Sequence, residues 1–321
     1  MHKRISVNEG AYELINVAIK NEDLLRIRTE KTSEATVIDA GINILGSYPA
    51  GCFVTEVCLG NLGKASITQI SFGGVTLPAI TVETNYPIIA TLGAQFAGWN
   101  VKVEKYFAMG SGPARALALK PKNIYDKIGY KDDSKIAVIV LETDKLPSSN
   151  TLEYIANECQ VELRDLYVLA APTCSLVGSV QISGRIVETG IHKLSEVGFD
   201  IKKILHGWGM APIAPLHMNS GICMGRTNDA LLYGGIAFYI VDYEDDDSMV
   251  EIASKVPSSE SKDYGRPFHE IFKAANFDFY KIDPNLFAPA VVYINNVRSG
   301  KTYKFGKTND NVLIESLGII Q

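Results

Sequence analysis

The hydrophobic and polar positions of the chain follow helical spacing in some segments and strand spacing in others, which predicts a mixed α/β (α+β) fold. Ser6 and Glu9 form a capping box ahead of apolar residues at helical spacing, so we expect a first helix near residues 7–22. Alternating and β-branched stretches predict strands, which occupy residues 24–31, 35–40, 65–72, 77–84, 235–241, 290–296 and 301–306.

Residues 136–171 have the order of a β-α-β unit. Ile136–Leu141 and Leu166–Ala171 are short apolar runs, and Ser149 or Asn150 can cap a helix that ends near Cys159 between them. This order predicts parallel strands with a crossover. The 321 residues exceed the usual single-domain size, so two domains or one large α/β unit are expected. We divide the chain into an N-terminal α/β domain at residues 1–145 and a C-terminal α/β domain at residues 146–321, with intertwined domains as the alternative.

Composition and charge exclude several classes of protein. The chain is 46% hydrophobic and 21% charged, with a net charge of −5 and basic residues spread along its length. We therefore expect a folded protein that does not bind nucleic acid. The apolar run Ala230–Val241 has 12 residues and is too short to span a membrane. No apolar signal region follows the N-terminus, and five cysteines without a C-x-x-C pair indicate reduced thiols, so we expect a cytoplasmic protein.

The segment from Thr173 to about Val197 predicts one long helix. Four polar residues follow i, i+4, i+7, i+11 spacing beside its apolar stripe: Gln181, Arg185, Glu188 and His192. A surface ion pair between Arg185 and Glu188 is the more common meaning of this spacing. The alternative is an acid–base pair at a functional site, because the helix also contains three costly glycines that let another group approach its backbone.

Two glycine-containing segments could bind anions. Residues 110–115 precede a predicted helix, and residues 225–229 form a predicted loop that offers a cation beside hydroxyl and amide donors. Ordinary helix capping is the more common explanation of each. The five histidines never fall at i, i+4 spacing, and no nucleophile elbow is present, so we predict neither a metal site nor a nucleophilic triad.

Several long segments of the chain resemble the methenyltetrahydromethanopterin cyclohydrolases. The resemblance is carried by residues 106–122, 171–173, 178–183, 185–190 and 224–229. It extends to residues 6–9, 283–289 and 299–303, so it covers nearly the whole chain.

The resemblance implies both a fold and an activity. The fold is two α/β domains with a substrate pocket between them, in a homotrimer. The activity is the reversible hydrolysis of methenyl-tetrahydromethanopterin to its N5-formyl form in C1 metabolism and methanogenesis, with no metal or redox cofactor. The catalytic residues are Arg185 and Glu188. Phe96 stands where related sequences often have lysine, so no cationic contact is expected from that position.

The coenzyme tail carries a phosphate and carboxylates, for which we infer further binding residues. The expected substrate-binding residues are Ser111, Gly112, Gln181, Arg226, Thr227, Asn228 and Asp229. Two other functions stay open at this point: formyl transfer between the pterin and another carrier, and non-catalytic binding of a pterin.

Overall fold

The computed structural model describes residues 5–278 and 281–320 and contains two six-stranded sheets. The strands are β1 (Arg28–Thr32), β2 (Ala35–Asp39), β3 (Gly63–Phe72), β4 (Val75–Thr84), β5 (Trp99–Val103), β6 (Tyr106–Ser111), β7 (Ala137–Glu142), β8 (Leu166–Ala171), β9 (Ile204–Pro212), β10 (Ile236–Val241), β11 (Val291–Asn296) and β12 (Thr302–Gly306). The helices are α1 (Val7–Ile19), α2 (Glu22–Leu25), α3 (Tyr48–Cys58), α4 (Pro87–Ala90), α5 (Arg115–Ala118), α6 (Lys122–Ile128), α7 (Ser149–Cys159), α8 (Leu176–Ser183), α9 (Ile186–Glu196), α10 (Ser220–Gly234), α11 (Asp246–Ala253), α12 (Phe268–Ala274) and α13 (Asp310–Leu317).

The chain forms two compact units, each built on one of the sheets. The first comprises Met1–Lys64 with Ile88–Gln181, and the second comprises Ala65–Pro87 with Ile182–Gln321. The predicted division at residue 145 falls inside the first unit, where β7 and β8 pair as adjacent parallel strands. The chain also enters the second unit early, because β4 pairs with β9. The mixed α/β class is confirmed. The boundaries of the two compact units differ from the predicted division of the chain, which stays a prediction.

The first sheet has the order β1-β2-β8-β7-β6-β5. Strands β2, β8 and β7 are parallel, and α7 connects β7 to β8, which confirms the predicted β-α-β unit. Val138 and Val140 belong to the core beneath α1 and α3, whereas Ile139 and Leu141 belong to the core beneath α7. Both faces of these strands are covered, so their sequence is continuously apolar.

The predicted N-cap of α1 is present. The Ser6 side chain accepts a hydrogen bond from the Glu9 backbone N–H. In the same first turn, the buried Asn8 amide donates to Asp132 Oδ2 at 2.8 Å and to the Pro113 carbonyl at 3.0 Å. The beginning of this helix is therefore fixed both by its own cap and by contacts with distant loops of the first unit.

Phe96 packs against a buried guanidinium. Phe96 follows a four-residue α4 and a π-helical turn over Thr91–Gln95. The Arg115 guanidinium lies 5.2 Å from the Phe96 ring centroid and donates to the carbonyls of Lys120, Leu92 and Ala94 at 2.7, 3.3 and 3.0 Å. Arg115 therefore organises the interior of the first unit.

We expect Arg115→Leu to lower the free energy of unfolding by about 3 kcal/mol or more, because it leaves buried carbonyls without a donor. Chemical denaturation measures this loss. Arg164→Leu is the control, since Arg164 is exposed and lies 3.9 Å from Asp165; it should change the free energy by less than about 1 kcal/mol. Equal, small losses for both variants would contradict the assigned role.

The second sheet has the order β12-β11-β10-β9-β4-β3. Helix α9 packs closely on β9 because two residues of that strand are glycines. A Cβ at Gly207 would lie 2.7 Å from Val187 Cγ1, and a Cβ at Gly209 would lie 2.7 Å from Ile186 Cγ2. The first turn of α9 is therefore held against the sheet at a distance that larger residues would not allow.

The opposite face of β10 is partly open. Ala237, Tyr239 and Val241 are buried, whereas the alternating Ile236, Phe238 and Ile240 are half-exposed. Phe238 pairs with Trp208 of β9 and Tyr293 of β11, and the Phe238 and Tyr293 rings stack with centroids 6.0 Å apart. We call Ile236, Phe238, Ile240, Trp208 and Tyr293 the apolar sheet face.

Helix α10 occupies residues that the sequence predicts as a loop. Its N-cap is Asn219, and it extends for 15 residues. Gly225 lies within it, where a Cβ would be 2.8 Å from His269 Cβ. The glycine therefore serves close packing between α10 and α12, which outweighs its poor helix propensity. In the part of the chain that the structure describes, no helix is long and apolar enough to cross a membrane.

Candidate active site

The predicted long helix over residues 173–197 is two helices. Helix α8 ends at Ser183, Gly184 and Arg185 form a turn, and α9 begins at Ile186 with Arg185 as its N-cap. The row of four polar residues is therefore not one face of a single helix, because Gln181 belongs to α8. Glu188 lies in the first turn of α9, where unpaired backbone N–H groups and the helix dipole favour a negative charge.

Arg185 and Glu188 are both buried. Arg185 is 8% exposed and Glu188 is 6% exposed, so the interpretation of these residues as a surface ion pair is wrong. Charged side chains are seldom removed from water unless they have a structural or a functional purpose. Burial at the start of one helix makes this pair the candidate catalytic group. Gln181, at 3% exposed, is also buried.

Tyr239 of β10 contacts the same turn of α9. Its hydroxyl donates to the Val187 carbonyl at 2.8 Å. Its pKa is raised well above the usual range, first by burial and second by the negative charge of Glu188. Tyr239 therefore contacts the residue that immediately precedes Glu188. Sequence analysis missed Tyr239 because it stands in an apolar strand; the available signal was Gly190, which was expected to let another group approach the helix.

The segment from Asp283 to Pro289 packs along the second half of α9. The buried Lys193 ammonium donates to Asn285 Oδ1. Burial lowers the pKa of Lys193, whereas the negative charges of Asp283 and Glu196 raise it. Residues 283–289 are among those that resemble the cyclohydrolase family. Their contact with Lys193 fixes the helix that carries Glu188.

Ser111 and Gly112 do not form an anion-binding helix start. Ser111 is the last residue of β6, and its hydroxyl donates to the Val140 carbonyl at 3.4 Å. The Gly112 N–H donates to the Ala94 carbonyl at 2.9 Å. The helix that follows, α5, has only four residues. Both groups bond within the first unit, and the expected phosphate contact stays a prediction.

Arg226 lies in the middle of α10 and bonds to backbone carbonyls. Its Nε donates to Ser316 at 3.2 Å, and its Nη1 donates to Pro215 and Leu216 at 3.3 and 3.4 Å. The guanidinium therefore connects α10 to α13 and to the loop before α10. Arg226 therefore lies in a helix and not in the predicted loop, and its expected contact with the substrate stays a prediction.

The three residues after Arg226 are also engaged within the second unit. Thr227 Oγ1 donates to the Cys223 carbonyl at 3.0 Å, and Asn228 Nδ2 donates to the Met224 carbonyl at 2.8 Å. The fully buried Asp229 accepts from the Phe268 N–H at 3.0 Å and from the Ser316 hydroxyl. Thr227, Asn228 and Asp229 therefore have structural partners, and their expected contacts with the substrate stay a prediction.

Asp229 should make the stability of the second unit depend on pH. Burial raises its pKa from 3.8 to about 7, while hydrogen bonds from Ser316 and Phe268 act in the opposite direction. Between these values the folded chain keeps a proton that the unfolded chain releases, so the stabilisation is present at low pH and is lost as the pH rises to about 7.

We expect the free energy of unfolding of the wild type to fall relative to that of Asp229→Asn by on the order of 2 kcal/mol between about pH 5 and pH 7.5. Denaturant titrations of both proteins at the two pH values measure the difference. Because asparagine does not titrate, parallel pH dependences in the two proteins would show that Asp229 is ionised throughout.

Comparison with known proteins identifies the class of enzyme to which this chain belongs. A family model described as Cyclohydrolase (MCH) matches residues 6–317. The chain belongs to this cyclohydrolase family.

Three relatives show how closely the chain matches particular proteins. All three are named methenyltetrahydromethanopterin cyclohydrolase. The protein of Methanocaldococcus jannaschii is 51% identical over 318 residues, which is 98% of each chain. That of Methanococcoides burtonii is 46% identical over 316 residues, covering 98% of this chain and 99% of its own. That of Methanothermobacter marburgensis is 47% identical over 322 residues, covering 98% of this chain and all of its own.

Proposed function

We propose that the protein catalyses the reversible hydrolysis of 5,10-methenyl-tetrahydromethanopterin to N5-formyl-tetrahydromethanopterin. The observation that carries the proposal is the buried pair of Arg185 and Glu188 at the start of α9. The family membership and the relatives, at 51% identity and nearly full coverage, support the same reaction.

The reaction needs one group that moves protons. The methenyl carbon lies between two nitrogens in a delocalised amidinium cation and is already electrophilic. A water oxygen bonds to this carbon as Glu188 takes a proton from the water. The bond from carbon to one nitrogen then breaks, and Glu188 returns the proton to that nitrogen. The remaining hydroxyl proton leaves as the formyl C=O forms, so the positive charge of the substrate ends as a released proton.

We infer that Arg185, three residues before Glu188, holds the carboxylate. A guanidinium that contacts a carboxylate favours the ionised form, which is the form that accepts a proton from water. The position of Glu188 in the first turn of α9 acts in the same direction. Because the cationic substrate needs no Lewis acid, we propose that no metal or redox cofactor takes part. The cytoplasmic location stays a prediction.

Glu188→Gln should lower kcat by about 10²- to 10⁴-fold, because it keeps the shape of the side chain and removes the base. The assay follows loss of the methenyl chromophore. Glu196→Gln is the matched control, since Glu196 is exposed on the same helix; it should keep kcat within about twofold.

Arg185→Ala should also lower kcat. The loss of kcat in the double variant of Arg185 and Glu188 should be less than additive, because the two residues act as a unit.

A folded Glu188→Gln protein that binds the pterin and turns over within about threefold of the wild type would eliminate the proposed role. Circular dichroism and pterin binding establish that the variant is folded. The buried pair would then have a structural purpose only.

We also propose that the protein assembles as a homotrimer. The resemblance implies this state, and the apolar sheet face defined above supports it. Phe238, Trp208 and Tyr293 form a row of paired aromatic residues across three strands, and this row is flanked by Lys304 of β12 and Glu83 of β4. Contiguous apolar surface bordered by charged residues is typical of protein–protein interfaces.

Light scattering should give a mass of about three times the 35.0 kDa of the chain. Phe238→Glu should lower the mass to that of one chain, because it places a charge within the apolar sheet face. Phe107→Glu, which changes an exposed phenylalanine of the first unit, should leave the mass unchanged. A single-chain mass for the wild type at all protein and salt concentrations would refute the trimer.

A further inference from the structure

Tyr239 is a fully buried tyrosine on a central strand of the second sheet. Its strand, β10, lies between β9 and β11, and Tyr239 pairs with Gly207 and Ile294. Its hydroxyl reaches the adjacent helix and donates to the Val187 carbonyl at 2.8 Å. The side chain therefore connects the sheet to the residue that immediately precedes Glu188.

The same hydroxyl occupies the space beside Gly190. A Cβ at this position would lie 2.0 Å from the Tyr239 hydroxyl oxygen and 3.0 Å from Cζ of the ring. Val187 and Gly190 are three residues apart and thus neighbours on one face of α9. Tyr239 contacts the helix at both positions, and Glu188 lies between them in the sequence.

The hydroxyl is a donor at every pH at which the enzyme could work. Burial and the charge of Glu188 both disfavour the phenolate. The hydrogen bond to Val187 therefore does not depend on the ionisation of Tyr239.

We propose that Tyr239 is a positioning residue, which fixes the first turn of α9 against β10 and so holds Glu188 in place for proton transfer. The catalytic part of this inference rests on the proposed function. Small displacements of a catalytic group are costly, because a shift of about 1 Å can reduce a rate by about 10²-fold. A buried hydrogen bond one residue from the proton carrier is a direct means of preventing such a shift.

Tyr239→Phe tests the proposal by removing the hydroxyl alone. We expect kcat to fall about tenfold while KM stays within about twofold, because substrate binding does not require the exact position of the carboxylate. The matched control is Tyr233→Phe. Tyr233 is equally buried in the same unit, and its hydroxyl donates to the Arg266 carbonyl at 2.6 Å. The Tyr233→Phe variant should lose about as much thermal stability as Tyr239→Phe and keep kcat within about twofold.

Gly190→Ala tests the same contact from the helix side. The added methyl would collide with the Tyr239 hydroxyl oxygen, so this variant should also lower kcat. Adding Tyr239→Phe removes the colliding oxygen, so the double variant should be no worse than Gly190→Ala alone. Fully additive losses would show that the two positions act independently and would contradict the proposal.

A spectroscopic measurement separates this proposal from the proposed function. With ¹³C-carboxyl-labelled glutamate, the Glu188 signal is identified by its absence in Glu188→Gln. It should shift in Tyr239→Phe and stay unchanged in Tyr233→Phe, whether or not the protein hydrolyses the pterin. An inactive wild type with this shift would refute the proposed function and support the positioning. An unchanged Glu188 signal together with a wild-type kcat in Tyr239→Phe would overturn the positioning role.

Discussion

The close approach of α9 to the second sheet is the constraint on which the candidate site depends. Gly207 and Gly209 leave room for Val187 and Ile186 on β9, and Gly190 leaves room for the Tyr239 ring from β10. These contacts hold the first turn of the helix, where Arg185 and Glu188 are buried. Because these glycines have no side chains, the helix packs closely on the sheet. This close packing fixes the position of the charged pair inside the second unit.

Features of the fold that depend on local sequence could be predicted. The Ser6–Glu9 capping box marks the start of α1, and the apolar runs around α7 mark a parallel β-α-β unit. Arg185 and Glu188 could be singled out from their spacing, and the resemblance supplied their expected chemistry. Their burial could not be deduced, because the same spacing is equally compatible with a solvated helix face.

Features that depend on contacts between distant residues could not be predicted. Gly225 is typical of a loop, but in the structure it allows close packing against the backbone of α12. The sequence likewise does not show that Arg226 donates hydrogen bonds to Ser316 and Pro215. The second unit resumes at Ile182, within α8 and two residues before the break at Gly184, and no local pattern marks this division. In each case tertiary packing outweighs local propensity.

The central claim is that water is the acceptor in a reaction for which Glu188 carries the protons. The most direct measurement follows the methenyl chromophore of the purified wild-type protein with methenyl-tetrahydromethanopterin and water alone, and identifies the product by mass. The account predicts enzyme-dependent loss of the chromophore and formation of the N5-formyl pterin with no other carrier present. A chromophore that decays no faster than in buffer, or that decays only when an amine acceptor is added, would contradict it.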